Sequence, residues 1–390
     1  MAWKETCVEK ERMKFVAEVD SGEMSVSALC RAYGISRKTG YKWLRRFDMD
    51  GLEGLKDRSR MPGVHPNMVS EEIEERICKA RRKHPHWGPK KLLSWLERRG
   101  QGQSLPATST AGAILKRHGL VVARPARQRA TPYTRPFEQC TDANQVWCVD
   151  LKGCFCTGDG RRCDPLTLTD ASTRFLLRCQ VLRRANGEYV RAVVETAFRE
   201  YGLPLAIRSD NGSPFSSVAV GGLSPLSVWW LRLGIVPERI PPGRPQYNGR
   251  HERMHRTLKQ ETANPPCASL RAQQKAFDRF REEYNNERPH EALGQKTPAM
   301  LYTASGRPYP VRLPEFEYPQ ADQVRKVKFN GGFKWQSVDI YLSQCLAGEL
   351  VGLEQVDERY WKVWVGPLEL ATLDGHKRVL VKPRRQGLWK

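Results

Sequence analysis

No run of roughly eighteen apolar residues occurs in the 390-residue chain, so no transmembrane helix is expected. The first residues, Met-Ala-Trp-Lys-Glu-Thr, are charged where a secretory signal is apolar, which points to a cytoplasmic, nucleoid-associated protein. Histidine is scarce, at 8, and the 11 cysteines are scattered and odd in number, which fits reduced thiols and not a disulfide framework. Cys154, Cys156 and Cys163 form the one local cluster, but their spacing offers no second pair and no nearby histidine, so strand-borne free thiols are expected instead of zinc. Acid is also short, with 43 Asp plus Glu against 65 Lys plus Arg and a net charge of +22. Spread along the chain, that excess selects a polyanionic partner, and double-stranded DNA ranks ahead of a membrane surface because no lipid-binding helix is evident.

What is present falls into five stretches. Residues 1–60 read as a helix-turn-helix domain. Its first helix turns Met13, Phe15 and Val16 inward, and its second places Val26, Leu29, Cys30 and Tyr33 at i, i+3, i+4 and i+7. After Gly34-Ile35-Ser36 a third helix carries Arg37, Lys38, Lys42, Arg45 and Arg46 toward DNA and Trp43, Leu44 and Phe47 toward the core. Gly40 within it lowers helix propensity by about 1 kcal/mol. Gly51 to Asn67 reads as a linker without a core. Residues 68–122 read as a second helix-turn-helix or winged-helix-like unit. Its helices carry Ile73, Ile77 and Ala80, then Leu92, Leu93 and Trp95, then, capped by Ser and Thr, Ala111, Ile114 and Leu115, with Lys116 and Arg117 offered to DNA. Residues 123–140, with Arg124, Arg127, Arg129 and Arg135 among prolines, read as a basic linker.

The pattern changes at Gln145. Val146 to Asp150, Pro165 to Asp170 and Phe175 to Val181 read as adjacent strands, followed by a helix from Glu188 to Tyr201, a strand at Leu205 to Arg208, and helix then strand from Leu226 to Val236. Strands followed by helix–strand alternation over 141–305 make an α/β core with a mixed sheet. From 320 to 390 Val338, Ile340 and Leu342 alternate, as do Trp361, Val363 and Val365, and a small β-barrel is expected.

Three carboxylates stand out. Asp150 ends the first strand, Asp210 follows the fourth, and Glu252 begins a helix after the glycine- and proline-rich run from Ile240. On that helix Glu252, His255, Arg256 and Lys259 fall at i, i+3, i+4 and i+7, away from Met254 and Leu258. Neighbouring strand ends bring the aspartates together, and a helix across them brings in the third acid. Like charges so placed need cations, and oxygen-only ligands favour two Mg²⁺ or Mn²⁺ ions, which suit in-line phosphoryl transfer.

Trp147-x-x-Asp150, Ser209-Asp210-Asn211-Gly212, the run Pro242-Gly243-x-Pro245-Gln246-x-Asn248-Gly249-x-x-Glu252-Arg253-x-His255-Arg256-Thr257-Leu258-Lys259, and Tyr284-Asn285-x-Glu287-Arg288-Pro289-His290 resemble the DDE-type integrase core of bacterial insertion-sequence transposases. The resemblance covers about Gln145 to Tyr302. It implies a ribonuclease-H-like fold, a catalytic and metal-binding triad of Asp150, Asp210 and Glu252, and DNA cleavage with strand transfer at element ends. Asn211 and Gly212 would shape the turn beside the second acid, and Asn248, Arg253, His255, Arg256 and Lys259 would hold phosphates or bases. Forty-one residues, 211 to 251, separate the last two acids, longer than the family's common spacing, and the excess is assigned to a loop within Val218 to Trp230. Pairing of two ends implies a homodimer or larger assembly. A non-enzymatic DNA-binding regulator and a nuclease that cuts without joining stay open as alternatives.

Overall fold

The structure, a computed structural model, describes residues 7–58, 68–100, 104–121, 140–217, 220–241 and 249–381. The chain divides into two compact units, Met1–Ser70 and Glu71–Lys390.

The first unit packs α1 (Val8–Asp20), α2 (Val26–Ala32) and α3 (Arg37–Asp50) around Phe15, Val16, Leu29, Cys30 and Trp43. Ser25 and Ser36 accept hydrogen bonds from the Ala28 and Thr39 amides, capping α2 and α3. Met13, expected inside, is 52% exposed, because α1 turns Phe15, Val16 and Val19 toward the core instead. A Cβ on Gly40 would lie 2.5 Å from Cys30 Sγ and 3.0 Å from Phe15. The helix-propensity loss there is what lets α3 close on its neighbours. The expected linker starts late: Gly51–Leu55 forms a 3-10 turn that buries Leu55, whose carbonyl accepts from Arg12 at 2.7 Å.

The second unit begins with α4 (Glu71–Lys83), α5 (Pro89–Arg98) and α6 (Thr108–Arg117), held by Ile77, Ala80, Leu92, Trp95, Ala111, Ile114 and Leu115. Leu96 is buried on α5 where Leu93 is only half-buried, and Ala107 at the N-cap of α6 offers no side-chain cap. Residues 122–139, with the four expected linker arginines, lie outside the described residues.

A mixed sheet follows. β1 (Val146–Leu151) pairs antiparallel with β3 (Arg162–Asp170), and β3 pairs antiparallel with β4 (Leu176–Leu182) and the short β2 (Phe155–Cys156). On its other side β1 runs parallel to β5 (Ala206–Ser209), and β5 parallel to β6 (Val236–Arg239). The crossovers are α7 (Gly187–Tyr201) and α8 (Pro225–Arg232). Period-two alternation splits β1: Trp147 and Val149 join Leu166, Leu168, Val194, Phe198 and Trp229 in the larger core, while Cys148 and Asp150 turn to the opposite face. That face is covered by α9 (Gly249–Thr262) and α10 (Leu270–Glu282), where Met254, Leu258, Phe277 and Phe280 pack on Leu176 and Cys179.

At the C-terminal end β7 (Gln323–Lys326), β10 (Leu350–Gln355), β11 (Tyr360–Val365), β12 (Leu368–Asp374) and β13 (Val379–Val381) form an antiparallel sheet in the order β13-β12-β11-β10-β7. β8 (Gly332–Trp335) and β9 (Val338–Tyr341) pair only with each other. Among the described residues the sheet does not close into the expected barrel: its edges are the short β7 and β13, which are not paired to one another. The long segment between Asp210 and Glu252 has a structural use, since Leu223, Val228 and Leu231 enter this sheet's core while Leu226, Trp229 and Trp230 enter the larger one.

Candidate active site and nucleic-acid interface

Asp150 and Asp210 meet because their strands are parallel neighbours in register, Cys148 beside Arg208, so both chains leave the sheet at the same end. The Asp210 carboxyl is raised from its ordinary value by burial and further by the charge of Asp150, although the Gly212 amide donates to it at 3.1 Å. A Cβ on Gly212 would sit 3.2 Å from that carboxylate, so glycine keeps the turn clear. The Asn211 amide donates to the Ile240 carbonyl at 2.7 Å and ties the turn to the end of β6.

Helix α9 is fastened over these acids by histidines. His251 and His255, one turn apart and buried, both place Nε2 against the Thr167 hydroxyl, at 2.7 and 2.6 Å. That hydroxyl also lies 3.3 Å from the Asp150 carbonyl. One proton and two lone pairs serve three partners only if Thr167 donates to the carbonyl and accepts from both rings, which makes both histidines Nε2–H tautomers. The assignment agrees with the remaining nitrogens: His251 Nδ1 accepts from the Thr169 hydroxyl at 3.5 Å, and His255 Nδ1 faces Asp150 at 3.8 Å without a proton to give. Burial pulls His251 down to about 3 and His255 to about 2, so both rings are neutral.

His255 is therefore not the DNA-facing residue its spacing from Glu252 suggested, because it fills the gap between α9 and the sheet. Glu252, Arg253, Arg256 and Lys259 are exposed on α9. Glu252 stands in the first turn, three residues before the histidine that faces Asp150. Among the described residues no three of His, Cys, Asp and Glu converge closely enough to hold a metal ion, so the two aspartates stand as a pair without Glu252. The oxygen pair of Asp150 and Asp210 fits a hard divalent cation, since a neighbouring positive charge would offset the burial that chiefly raises Asp210 and the added repulsion from Asp150. Thr167 and His251 escaped sequence reading, though the alternation Thr167-Leu168-Thr169 and the i, i+4 pair of histidines were visible signals. Asn248 and 242–247 lie outside the described residues.

The other expected DNA contacts divide by environment. Arg37, Lys38, Lys42 and Arg45 are exposed on α3, and Lys42 and the half-buried Arg46 lie over the Trp43 ring at 4.1 and 5.0 Å. Lys116 is exposed, but Arg117 is ion-paired with Glu74, which occupies it within the helical block. The segment after α10 is structural: the Asn285 side chain accepts from the Leu176 amide at 2.8 Å and donates to its carbonyl at 3.0 Å, and Arg288 pairs with Glu261 at 2.8 Å. It also receives the second helical block, through His84 to Glu283 at 2.8 Å and Trp95 to Glu287 at 3.3 Å.

Residues 141–245 and 233–298 each match an integrase core domain, and residues 11–63 and 39–115 match helix-turn-helix and homeodomain-like domains. The chain thus carries an integrase core and helix-turn-helix domains, and transposases of insertion elements are among its relatives. Among its relatives, a 31.7 kDa protein of insertion element IS407 from Burkholderia multivorans is 26% identical over 236 residues, 60% of this chain and 82% of that protein. A protein of insertion element IS476 from Xanthomonas euvesicatoria is 30% identical over 159 residues, 40% of this chain and 44% of that one. Transposase InsD of IS2 from Escherichia coli is 26% identical over 288 residues, 70% of this chain and 89% of the enzyme. The catalytic core of HTLV-2 integrase, solved with magnesium, is 16% identical at a TM-score of 0.32, over 41% of this chain and 97% of that one. No helix among the described residues is long and apolar enough to cross a membrane.

Proposed function

We propose that the protein binds the ends of a mobile DNA element and cleaves and joins DNA strands, with Asp150, Asp210 and Glu252 as its catalytic carboxylates. The observation that carries this reading is the Asp150–Asp210 pair, two carboxylates at parallel strand ends, where burial and then the charge of Asp150 raise Asp210. Such a pair is unfavourable alone and becomes favourable with a cation. Asp150 and Asp210 would hold Mg²⁺ or Mn²⁺, with Glu252 as the third oxygen donor for a two-ion site. Bound ions supply activation of the attacking oxygen and charge stabilisation of the leaving one.

The chain's own contribution is placement. Thr167, His251 and His255 fix α9 and with it the turn that carries Glu252. Because both rings are neutral, they add no positive charge to compete with a cation at Asp150. Exposed Arg37, Lys38 and Arg45, with Lys116, Arg253, Arg256 and Lys259, are the phosphate contacts we assign. We read residues 1–60 and 68–122 as the end-binding modules, 141–305 as the chemical one, and the working assembly as a homodimer or larger, since two ends must be paired.

The test is metal-dependent nicking of duplex DNA that contains an element end. Wild type should nick and Asp210→Asn should bind without nicking; equal nicking by the two would remove Asp210 from the chemistry.

A further inference from the structure

A cavity of about 90 Å³ lies between α5, α9, the β3–β4 turn and the segment after α10. Five cations line it: Lys91 from α5, Arg174 from the turn, Arg250 and Arg253 from α9, and Arg288. Its volume holds several waters, and so a phosphate-sized group, but not a base or a peptide side chain with its backbone.

The charges are not balanced from within. Arg288 pairs with Glu261 at 2.8 Å and Arg250 donates to the Ala171 carbonyl at 2.7 Å. Lys91 and Arg174 have no ion-pair partner among the described residues and neither is fully exposed. Asp170 also lines the cavity, but its carboxylate is taken by the Asn144 amide at 2.8 Å and by the Thr173 amide and hydroxyl, both at 2.7 Å. The crowding registers on the lysine, which burial and then Arg288 pull down to about 8. Arg174, which holds a left-handed backbone at φ 64°, is lowered by burial and then by Arg250. Finally His290, 7% exposed, lines the same cavity with a buried Nε2 that has no hydrogen-bond partner.

The cavity is separate from the acids. Arg250, Arg253, Met254 and Thr257 fall at i, i+3, i+4 and i+7 and give α9 one face toward the cavity, about 150° around the helix from Glu252. From the convergence of five cations and an unpartnered buried imidazole nitrogen on one small cavity, we infer that it is an oxyanion site that takes a phosphate group. An oxyanion there accepts from Lys91 and Arg174, and its negative charge favours a protonated His290, whose Nε2–H then donates to it. It would also fasten the second helical block, through Lys91, to the core. The phosphate is either a phosphodiester of bound DNA or free inorganic phosphate, and the inference does not depend on strand chemistry at Asp210.

The full-length protein is unfolded thermally in phosphate and in chloride at matched ionic strength. Wild type and Asp210→Asn should both melt several degrees higher in millimolar phosphate, Lys91→Gln and Arg174→Gln should lose most of that rise, and Lys91→Arg should keep it. A second arm measures duplex binding against salt. If a DNA phosphodiester fills the cavity, Arg174→Gln lowers the slope of log K against log salt by about 1, and prebound duplex abolishes the phosphate shift. If free phosphate fills it, the slope is unchanged and the shift persists on the DNA complex. Equal melting in phosphate and chloride with an unchanged slope, or a full phosphate shift in Arg174→Gln, would overturn the site.

Discussion

Replacing Thr167 by Val removes one hydroxyl and changes little else in shape, yet three groups lose their partner. The two imidazole N–H groups, 2.7 and 2.6 Å from the hydroxyl, are left buried beneath α9. At about 1–3 kcal/mol for each unpaired buried donor, the expected loss is roughly 2–6 kcal/mol. The longer contact to the Asp150 carbonyl, 3.3 Å, adds little, because it is weak to begin with. Thr167→Ser keeps the hydroxyl and loses a methyl, which costs about 1 kcal/mol. Urea denaturation of both variants beside wild type measures the difference. Strand cleavage, assayed where each variant is folded, should also fall in Thr167→Val, since the helix carrying Glu252 loses its fastening to the sheet. Equal stability of the Val and Ser variants would refute the tautomer assignment and the role given to the hydroxyl.

Three further outcomes follow from other contacts. His251, His255 and His290 are held neutral by burial, at about 3, 2 and 3. An unfolded chain takes up protons that these rings refuse, so their contribution is intact above the ordinary value and is lost as pH falls below it, by up to about 1.4 kcal/mol per pH unit for each ring. The raised carboxyls of Asp170, Asp210 and Glu261 act in the opposite sense, so the test is whether the denaturation midpoint drops steeply between roughly pH 6 and 4; a flat profile there contradicts the neutral-histidine account. Gly40→Ala gains helix propensity but presses a methyl into Cys30 and Phe15, and should destabilise the first unit by about 1–3 kcal/mol; a stabilised variant in calorimetry would show that the helices can separate freely. Asn285→Ala leaves both the Leu176 amide and carbonyl unpaired and should cost about 2–4 kcal/mol by denaturant titration, with Asn285→Asp between it and wild type.

The positions of Asp150 and Asp210 in the candidate site are legible because carboxylates at strand ends follow from local patterns. The strand over Val146 to Asp150 and the turn at Asp210 needed only β-propensity and a breaker, and register then brought them together. His255 was misjudged because it lies about 60° around the helix from both Glu252 and Leu258, a boundary position decided by what the sheet offers beneath it. That partner, Thr167, is 88 residues away. Arg117 was assigned to DNA from its charge, and only the packing of α6 on α4 reveals Glu74, 43 residues upstream. Alternation in β10 and β11 predicts strands but carries no information on closure, which depends on stagger across the whole sheet.

The central claim is that Asp150, Asp210 and Glu252 act together on a phosphodiester. Its most direct test is joining of a pre-cut element-end duplex to a plasmid target in Mg²⁺, for wild type and for Asp150→Asn, Asp210→Asn and Glu252→Gln, with end binding measured on the same preparations. The account predicts joined product from wild type alone and undiminished end binding by all three variants. Joining by Glu252→Gln at the wild-type rate would contradict it.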